Sequence, residues 1–432
     1  MQQVCCLWGI WKSYVGLVLL IVLTSTIGGC RGGGQAAPQA KPYLLPIPSP
    51  DEMAQPRQAA QLGLPVETTR AAIPADNPQS PEKVALGQKL FFDGRLSADG
   101  TVACGSCHDP VRAFTDGRRA SIGIKGRVGQ RNAPTILNAL YNKTQFWDGR
   151  ARTLEEQAAF PILNPSEMGQ PNLDAAMARI ASVREYRRAF DRVFGGPPTP
   201  DNLLRAIASY ERSEVSFNSP FDHFVAGERN AINASAVRGW ALFNGRGRCT
   251  TCHALVRGSR DVTTFTDQLF HNIGVVMVRA NTVAMARQAD QAVRAGDMRA
   301  VDRTAIQTDF SVLGRFLVTR QDADIGAFRT PGLRNLLMTA PYFHDGSHAT
   351  LWDVLDHYNK GGDTGDPFLD KDMQPLGLKE GEIDDLVAFL ASLTSSDFRK
   401  PALDELARQR KVSTKTRPFR ETPRAVAPAK PR

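Results

Sequence analysis

The sequence predicts an all-α body made of two similar halves. Three observations carry this prediction. The motif G-x-x-L-F occurs twice, as Gly87–Phe91 and Gly239–Phe243, each time ahead of a C-x-x-C-H. Each half closes on a segment with apolar residues at helical spacing: Leu203, Leu204, Ile207 and Ala208 in the first, Ile383, Leu386, Val387 and Leu390 in the second. Strand-like alternation is sparse throughout.

From the N-terminus, residues 1–29 read as a lipoprotein-type signal peptide. Lys12 precedes a short apolar run, and small residues lead up to Cys30. The run is too short to span comfortably as a permanent helix. Ile27-Gly28-Gly29-Cys30 resembles a bacterial lipoprotein signal, which implies cleavage before Cys30 and lipidation of its thiol. An ordinary signal peptide and an uncleaved anchor are the alternatives. Every one of these readings exports the chain, with the periplasm and a lipid anchor to a bacterial membrane as the expected destination. Residues 30–64, dominated by Gly, Pro, Ala and Gln, read as a flexible tether. The two halves of the body follow as residues 65–232 and 233–398. Residues 399–432 read as a basic, Pro-containing tail, weakly structured from about 401. Within the second half, residues 278–309 have helical composition and read as an insertion of no evident function.

The chain has 432 residues, 42% of them hydrophobic, which suffices for two or three packed domains. Its formal charge of +9 sits partly in the tail, and no recognition motif accompanies it, so no nucleic-acid partner is expected.

Four of the seven cysteines fall in Cys104-Gly-Ser-Cys107-His108 and Cys249-Thr-Thr-Cys252-His253. This spacing tethers a c-type haem through two thioethers, with the histidine as an axial iron ligand. A zinc site would need four converging ligands, and a thioredoxin-like pair has no use for the adjacent histidine. Each half therefore carries the layout of a cytochrome c domain: helix, haem motif, loops and closing helix. The expected fold is all-α, with two cytochrome c-like domains and one covalently attached haem c in each. Such attachment takes place outside the bacterial cytoplasm, in agreement with the signal.

Between the motifs runs a dense polar and aromatic stretch: RNAPT at 131–135, FWDGR at 146–150, TLEEQ at 153–157 and NPSEM at 164–168. FHNIG, FRTPGLRN and APYFHDGSHATL follow the second haem motif or lie downstream of it. With these, residues 75–397 resemble the bacterial di-haem cytochrome c peroxidases, a superfamily that includes MauG. The resemblance implies an N-terminal peroxidatic domain and a C-terminal electron-transfer domain. It implies that Glu167 is the distal acid/base, Gln157 its orienting amide, and Pro161 a wall of the same pocket. Splitting the O–O bond of peroxide moves a proton from the inner to the outer oxygen, and a carboxylate over an open iron face can take and return it. Trp147 matches a tryptophan between the two haems, a route for electrons. Asn132, Thr339 and Pro341 match residues around an interdomain calcium site, where an amide and backbone carbonyls suit a hard cation.

Two departures stand out. In the well-studied members a histidine downstream of the first haem motif binds that iron at rest. Here Ile124 falls at or near its position, and no histidine lies between His108 and His223. The first haem is expected to be five-coordinate or water-bound and to need no reductive activation. In those members a methionine also faces the second haem's histidine. Here Tyr358 stands seven residues after Ala349-Thr-Leu351, as in MauG, with His357, Met277, Met338 and Met373 as competitors. A phenolate favours ferric iron, whereas a thioether does the reverse. His271 and His344 read as structural or haem-edge hydrogen-bonding groups.

The expected function is reduction of hydrogen peroxide to water, with electrons from a small c-type cytochrome or cupredoxin. The alternative is a MauG-like enzyme that stores two oxidising equivalents across both haems and Trp147, then oxidises a partner protein or small molecule. A pure electron carrier or haem sensor would have no use for Glu167 and Gln157. A homodimer is compatible with the resemblance.

Overall fold

In the computed structural model, the described residues are 72–253, 264–275, 282–294 and 298–416. Their helices, in order, are α1 (Pro81–Phe91), α2 (Leu154–Leu163), α3 (Leu173–Ala181), α4 (Arg184–Phe194), α5 (Pro200–Ser213), α6 (Pro220–Val225) and α7 (Ala234–Asn244). They continue with α8 (Thr282–Arg294), α9 (Met298–Gln307), α10 (Phe316–Thr319), α11 (Leu351–Lys360), α12 (Glu380–Ser392) and α13 (Arg399–Thr416). The described strands are β1 (Phe270–His271) and β2 (Phe328–Arg329), antiparallel with Phe270 opposite Arg329. The predicted all-α character holds.

The repeated motif has a packing reason. A Cβ on Gly87 would sit 1.9 Å from the Ala206 carbonyl oxygen, and one on Gly239 would sit 1.9 Å from that of Asp385. Each opening helix thus crosses its closing helix, α1 on α5 and α7 on α12, with backbones in contact. Only glycine permits that approach. The Leu-Phe pair of each motif then faces inward: Leu90, Phe91 and Phe243 are buried. The closing helices bury the expected stripes, Leu203, Ile207 and Ala208 on α5, with Leu204 only partly buried, and Ile383, Leu386, Val387 and Leu390 on α12. Burying each of the larger side chains stabilises the fold by about 1.5–3 kcal/mol. The Thr199 hydroxyl caps α5 by accepting from the Asn202 amide at 3.2 Å, ahead of Pro200 in the first turn.

These helices enclose two separate hydrophobic clusters, one around Leu90, Phe114, Ile162 and Phe190, the other around Phe243, Trp352 and Phe389. Met338 packs against both. Residues of the 278–309 segment form a third, in which Ala289 and Val293 of α8 and Ala305 of α9 meet Leu313 and Leu317.

One expectation is corrected. The tail read as weakly structured from about 401 forms α13 as far as Thr416. Ala402 and Gln409 on it are buried, and the Gln409 side chain bonds the Leu351 amide at 2.9 Å and the Tyr342 hydroxyl at 2.8 Å. Of the buried residues described on this helix, Gln409 and Ser413 are polar and Ala402 alone is apolar, so it carries no apolar periodicity. The signal, the tether and Cys30 lie outside the described residues. Among the described residues no helix is long and apolar enough to cross a membrane.

Candidate active site

Two cavities lie against the two C-x-x-C-H turns. The first, of about 130 Å³, is lined by Cys104, Cys107 and His108 and by Gln157, Pro161 and Glu167. The turn from Cys104 doubles back so that the His108 amide donates to the Cys104 carbonyl at 3.0 Å. His108 Nδ1 sits 3.1 Å from the Phe114 carbonyl oxygen, which assigns the proton to Nδ1 and leaves Nε2 as a ligand atom. Burial lowers the proton affinity of the ring and keeps it neutral.

Glu167 is presented by a tight loop at the end of α2. Its amide donates to the Asn164 carbonyl at 3.0 Å, and its own carbonyl accepts from the Ile124 amide at 2.8 Å. Ile124 is buried in the first core, with its Cδ1 against Gly169. The position thus supports the loop with apolar packing. Glu167 Oε2 and Gln157 Oε1 are buried with no hydrogen-bond partner among the described residues. Burial raises the Glu167 carboxyl, Asp302 adds to the rise and Arg150 opposes it, for a net value of about 8. An acid so placed exchanges its proton near neutral pH.

Behind the loop runs a buried row of charges. Arg131 Nη1 meets Asp148 at 2.7 Å, Arg150 Nη1 meets Asp148 at 3.0 Å, and Arg150 Nη2 meets Asp302 at 2.9 Å. Burial alone would raise the Asp148 carboxyl, but Arg150 and Arg131 hold it down at about 2.

The second cavity, of about 250 Å³, is lined by Cys249, Cys252, His253 and Tyr358, and by Asn132, Thr339 and Pro341. His253 Nδ1 lies 2.9 Å from the Phe265 carbonyl oxygen, so here too Nε2 is left as a ligand atom. Burial and the neighbouring Cys252 and Cys249 push the Tyr358 phenol up. Of its competitors, Met373 also lines the cavity. Met338 and His357 do not, and His357 Nε2 is engaged by the Ile273 carbonyl at 2.7 Å. Met277 lies outside the described residues. Asn132 commits its amide nitrogen to the Arg118 carbonyl at 2.8 Å, so of its side-chain atoms only Oδ1 could face a cation.

Trp147 lines both cavities and donates Nε1 to the Asn132 carbonyl at 2.9 Å. His344 is buried and stacks on Phe328 with ring centroids 3.5 Å apart, and its amide neighbourhood bonds Asn132 through the His344 carbonyl. His271 is held between Asp370 at 2.6 Å and Asp267 at 2.9 Å. Cys252, Asp267 and His271 also come within metal-ligating range of one another. Cys252 belongs to a haem-attachment motif, and this trio is no independent metal centre.

The donor sets fit haem c. Among the described residues neither cysteine pair converges as a pair with further metal-ligating side chains, as a zinc or iron–sulfur site would require. Each pair instead stands beside a neutral histidine with a free Nε2.

Two wall or support residues escape sequence reasoning. Glu211 is buried on the first cavity's wall with Oε2 unpartnered, and burial, opposed by Arg212, raises it to about 8. Its signal was its place one turn beyond Ile207 on the apolar stripe of α5. Asp302 has no such signal, because its partners Arg150 and Asn164 are more than a hundred residues away.

Residues 81–230 match the di-haem cytochrome c peroxidase family. The methylamine utilization protein MauG of Methylorubrum extorquens AM1 is 38% identical over 322 residues, spanning 74% of this chain and 80% of that one. The cytochrome-c peroxidase IdrP1 of Pseudomonas sp. SCT is 37% identical, spanning 75% and 84%. A crystal structure of a MauG-like protein associated with microbial copper homeostasis superposes with a TM-score of 0.62 at 33% identity, over 77% of this chain and 95% of that one.

Proposed function

The chain belongs to the di-haem cytochrome c peroxidase family, and we propose that its first cavity is where hydrogen peroxide is reduced. It is a di-haem peroxidase-type oxidoreductase, and the family implies two haem c groups. In our reading Cys104, Cys107 and His108 hold the first, in a domain spanning residues 65–232. Cys249, Cys252, His253 and Tyr358 hold the second, in a domain spanning residues 233–398. When bound, the first haem supplies a redox-active iron at which the O–O bond breaks. Peroxide takes up two electrons and two protons and leaves as two waters. Glu167 takes the proton from the inner oxygen and returns it to the outer one. Gln157 directs its amide at the bound peroxide without adding charge, and Pro161 closes the wall. Trp147, shared by both cavities, carries electrons from the second site to the first. Asn132, Thr339 and Pro341 would hold a calcium ion that couples the halves. The donor would be a small c-type cytochrome or cupredoxin in the periplasm, with the chain anchored through Cys30.

The observation that carries this reading is the convergence of His108, Glu167, Gln157 and Pro161 on one cavity. Steady-state peroxide reduction by the haem-loaded protein with a reduced small cytochrome tests it. Glu167→Gln should cut kcat by about 10²–10⁴ while both haem spectra stay intact. Full activity in that variant would refute the assignment.

Tyr358 beside His253 favours the MauG-like alternative, since a phenolate stabilises the oxidised iron. Slow decay of the peroxide-treated protein with poor cytochrome turnover would select that alternative.

A further inference from the structure

We propose that Asp302 is a positioning residue of the peroxide site. From α9 it fixes the loop that presents Glu167 and keeps Arg150 from pairing with that carboxylate. The proposal rests on the reading of Glu167 as the acid/base and extends it to a segment, 278–309, that the haem and peroxide chemistry leaves unexplained.

Asp302 is buried, and both its oxygens are used. Oδ2 accepts from the Asn164 amide nitrogen at 2.5 Å, and Oδ1 accepts from Arg150 Nε at 2.9 Å. Asn164 is the residue on which the loop turns. Its carbonyl accepts from the Glu167 amide, and its side-chain oxygen accepts from the Ser166 amide at 2.9 Å and from Gln307, also on α9, at 2.9 Å. Two side chains of one helix therefore grip the same asparagine.

The second effect is electrostatic. Arg150 donates Nε to Asp302 and Nη1 to Asp148, and its Nη2 lies 2.9 Å from Asp302 without hydrogen-bond geometry, so two carboxylates hold the guanidinium. It lies over the Phe146 ring at 3.5 Å, which limits its movement. Glu167 meanwhile has no arginine partner, and its Oε2 is unpaired among the described residues. A carboxylate locked on arginine stays ionised and can take a proton but not return it. With Arg150 neutralised by Asp302 and Asp148, Glu167 retains a proton affinity suited to both transfers. The charged or titratable groups around it are Arg150 and Asp302 behind the loop, Asp148 beyond them, and Cys104, Cys107, His108, Arg131, Glu211 and Arg329 on the cavity walls.

Infrared titration of the oxidised holoenzyme reads this directly through the protonated-carboxyl band. Comparison with Glu167→Gln assigns the band. In Asp302→Asn the midpoint should fall by about one pH unit or more from its wild-type position, because Arg150 loses an acidic partner. Exchanging the pair, Asn164→Asp with Asp302→Asn, keeps the hydrogen bonds with their roles reversed and keeps the charge. Its midpoint should stay at or above the wild-type value. A midpoint unmoved in Asp302→Asn, with only a lowered Tm, would reduce Asp302 to a structural role and overturn the proposal. If Asp302→Asn does not fold, the exchanged pair decides, and a midpoint in the ordinary carboxylate range would overturn it. A band that survives in Glu167→Gln would instead overturn the assignment of Glu167.

Discussion

The raised proton affinity of Glu167 makes a definite demand on the pH dependence of peroxide cleavage. The carboxyl titrates at about 8 because burial and Asp302 outweigh Arg150. As a base it must begin ionised. With that midpoint, about 1% of molecules carry the carboxylate at pH 6, about 9% at pH 7 and half at pH 8. The second-order rate of the holoenzyme with peroxide should therefore rise close to tenfold from pH 6 to pH 7 and bend over near pH 8. The perturbation is Glu167→Gln, which removes the base while preserving shape. Its rate should be lower by about 10²–10⁴ and flat across this window. Rapid mixing at a series of pH values, with the haem absorption as readout, gives both profiles. A wild-type profile that is flat from pH 6 to 8, or the same bend in the glutamine variant, would refute the assignment of the base.

Three other outcomes follow from the structure. Tyr358→Phe should change the low-spin haem spectrum while Met373→Leu leaves it unchanged, and the reverse pattern in absorption and EPR would make Met373 the ligand. Asp148→Asn removes the carboxylate paired with buried Arg131 and one of the two paired with buried Arg150, so urea unfolding at pH 7 should show a loss of about 3–5 kcal/mol. Because the folded carboxyl titrates near 2, below its ordinary value, Asp148 stabilises above about pH 4 and loses that contribution as the pH falls through 2. The gap between wild type and variant should close over that range. Gly239→Ala puts a methyl against the Asp385 carbonyl and should cost about 1–3 kcal/mol in the same assay, more than an alanine at Gly196, where a Cβ meets no atom within 4 Å.

The parts of this molecule legible in the sequence are those written locally. The C-x-x-C-H turns set their own geometry, and the apolar stripes of α5 and α12 report their own burial. The G-x-x-L-F repeat marked where helices lie, although the reason for its glycine, a backbone crossing, needs the partner helix. Residues whose roles depend on distant partners are silent. Asp302 is one acidic residue in an alanine- and arginine-rich segment until α9 brings it to Arg150 and Asn164. The helix α13 was hidden for a different reason. Its contacts run through Gln409, whose amide serves Leu351 and Tyr342, and a polar residue in a buried stripe leaves no hydrophobic periodicity to read. Ile124 stands between these cases. The missing histidine is plain in the sequence, while its service as a prop for the Glu167 loop appears only in three dimensions.

We propose that the first site is ready for peroxide as it stands, with Glu167 over a face that no histidine covers. Stopped-flow addition of peroxide to the fully oxidised, haem-loaded protein tests it most directly. An immediate change at the first haem without prior reduction is expected, followed by rapid turnover once reduced cytochrome is supplied. No reaction until the second haem has been reduced would contradict it.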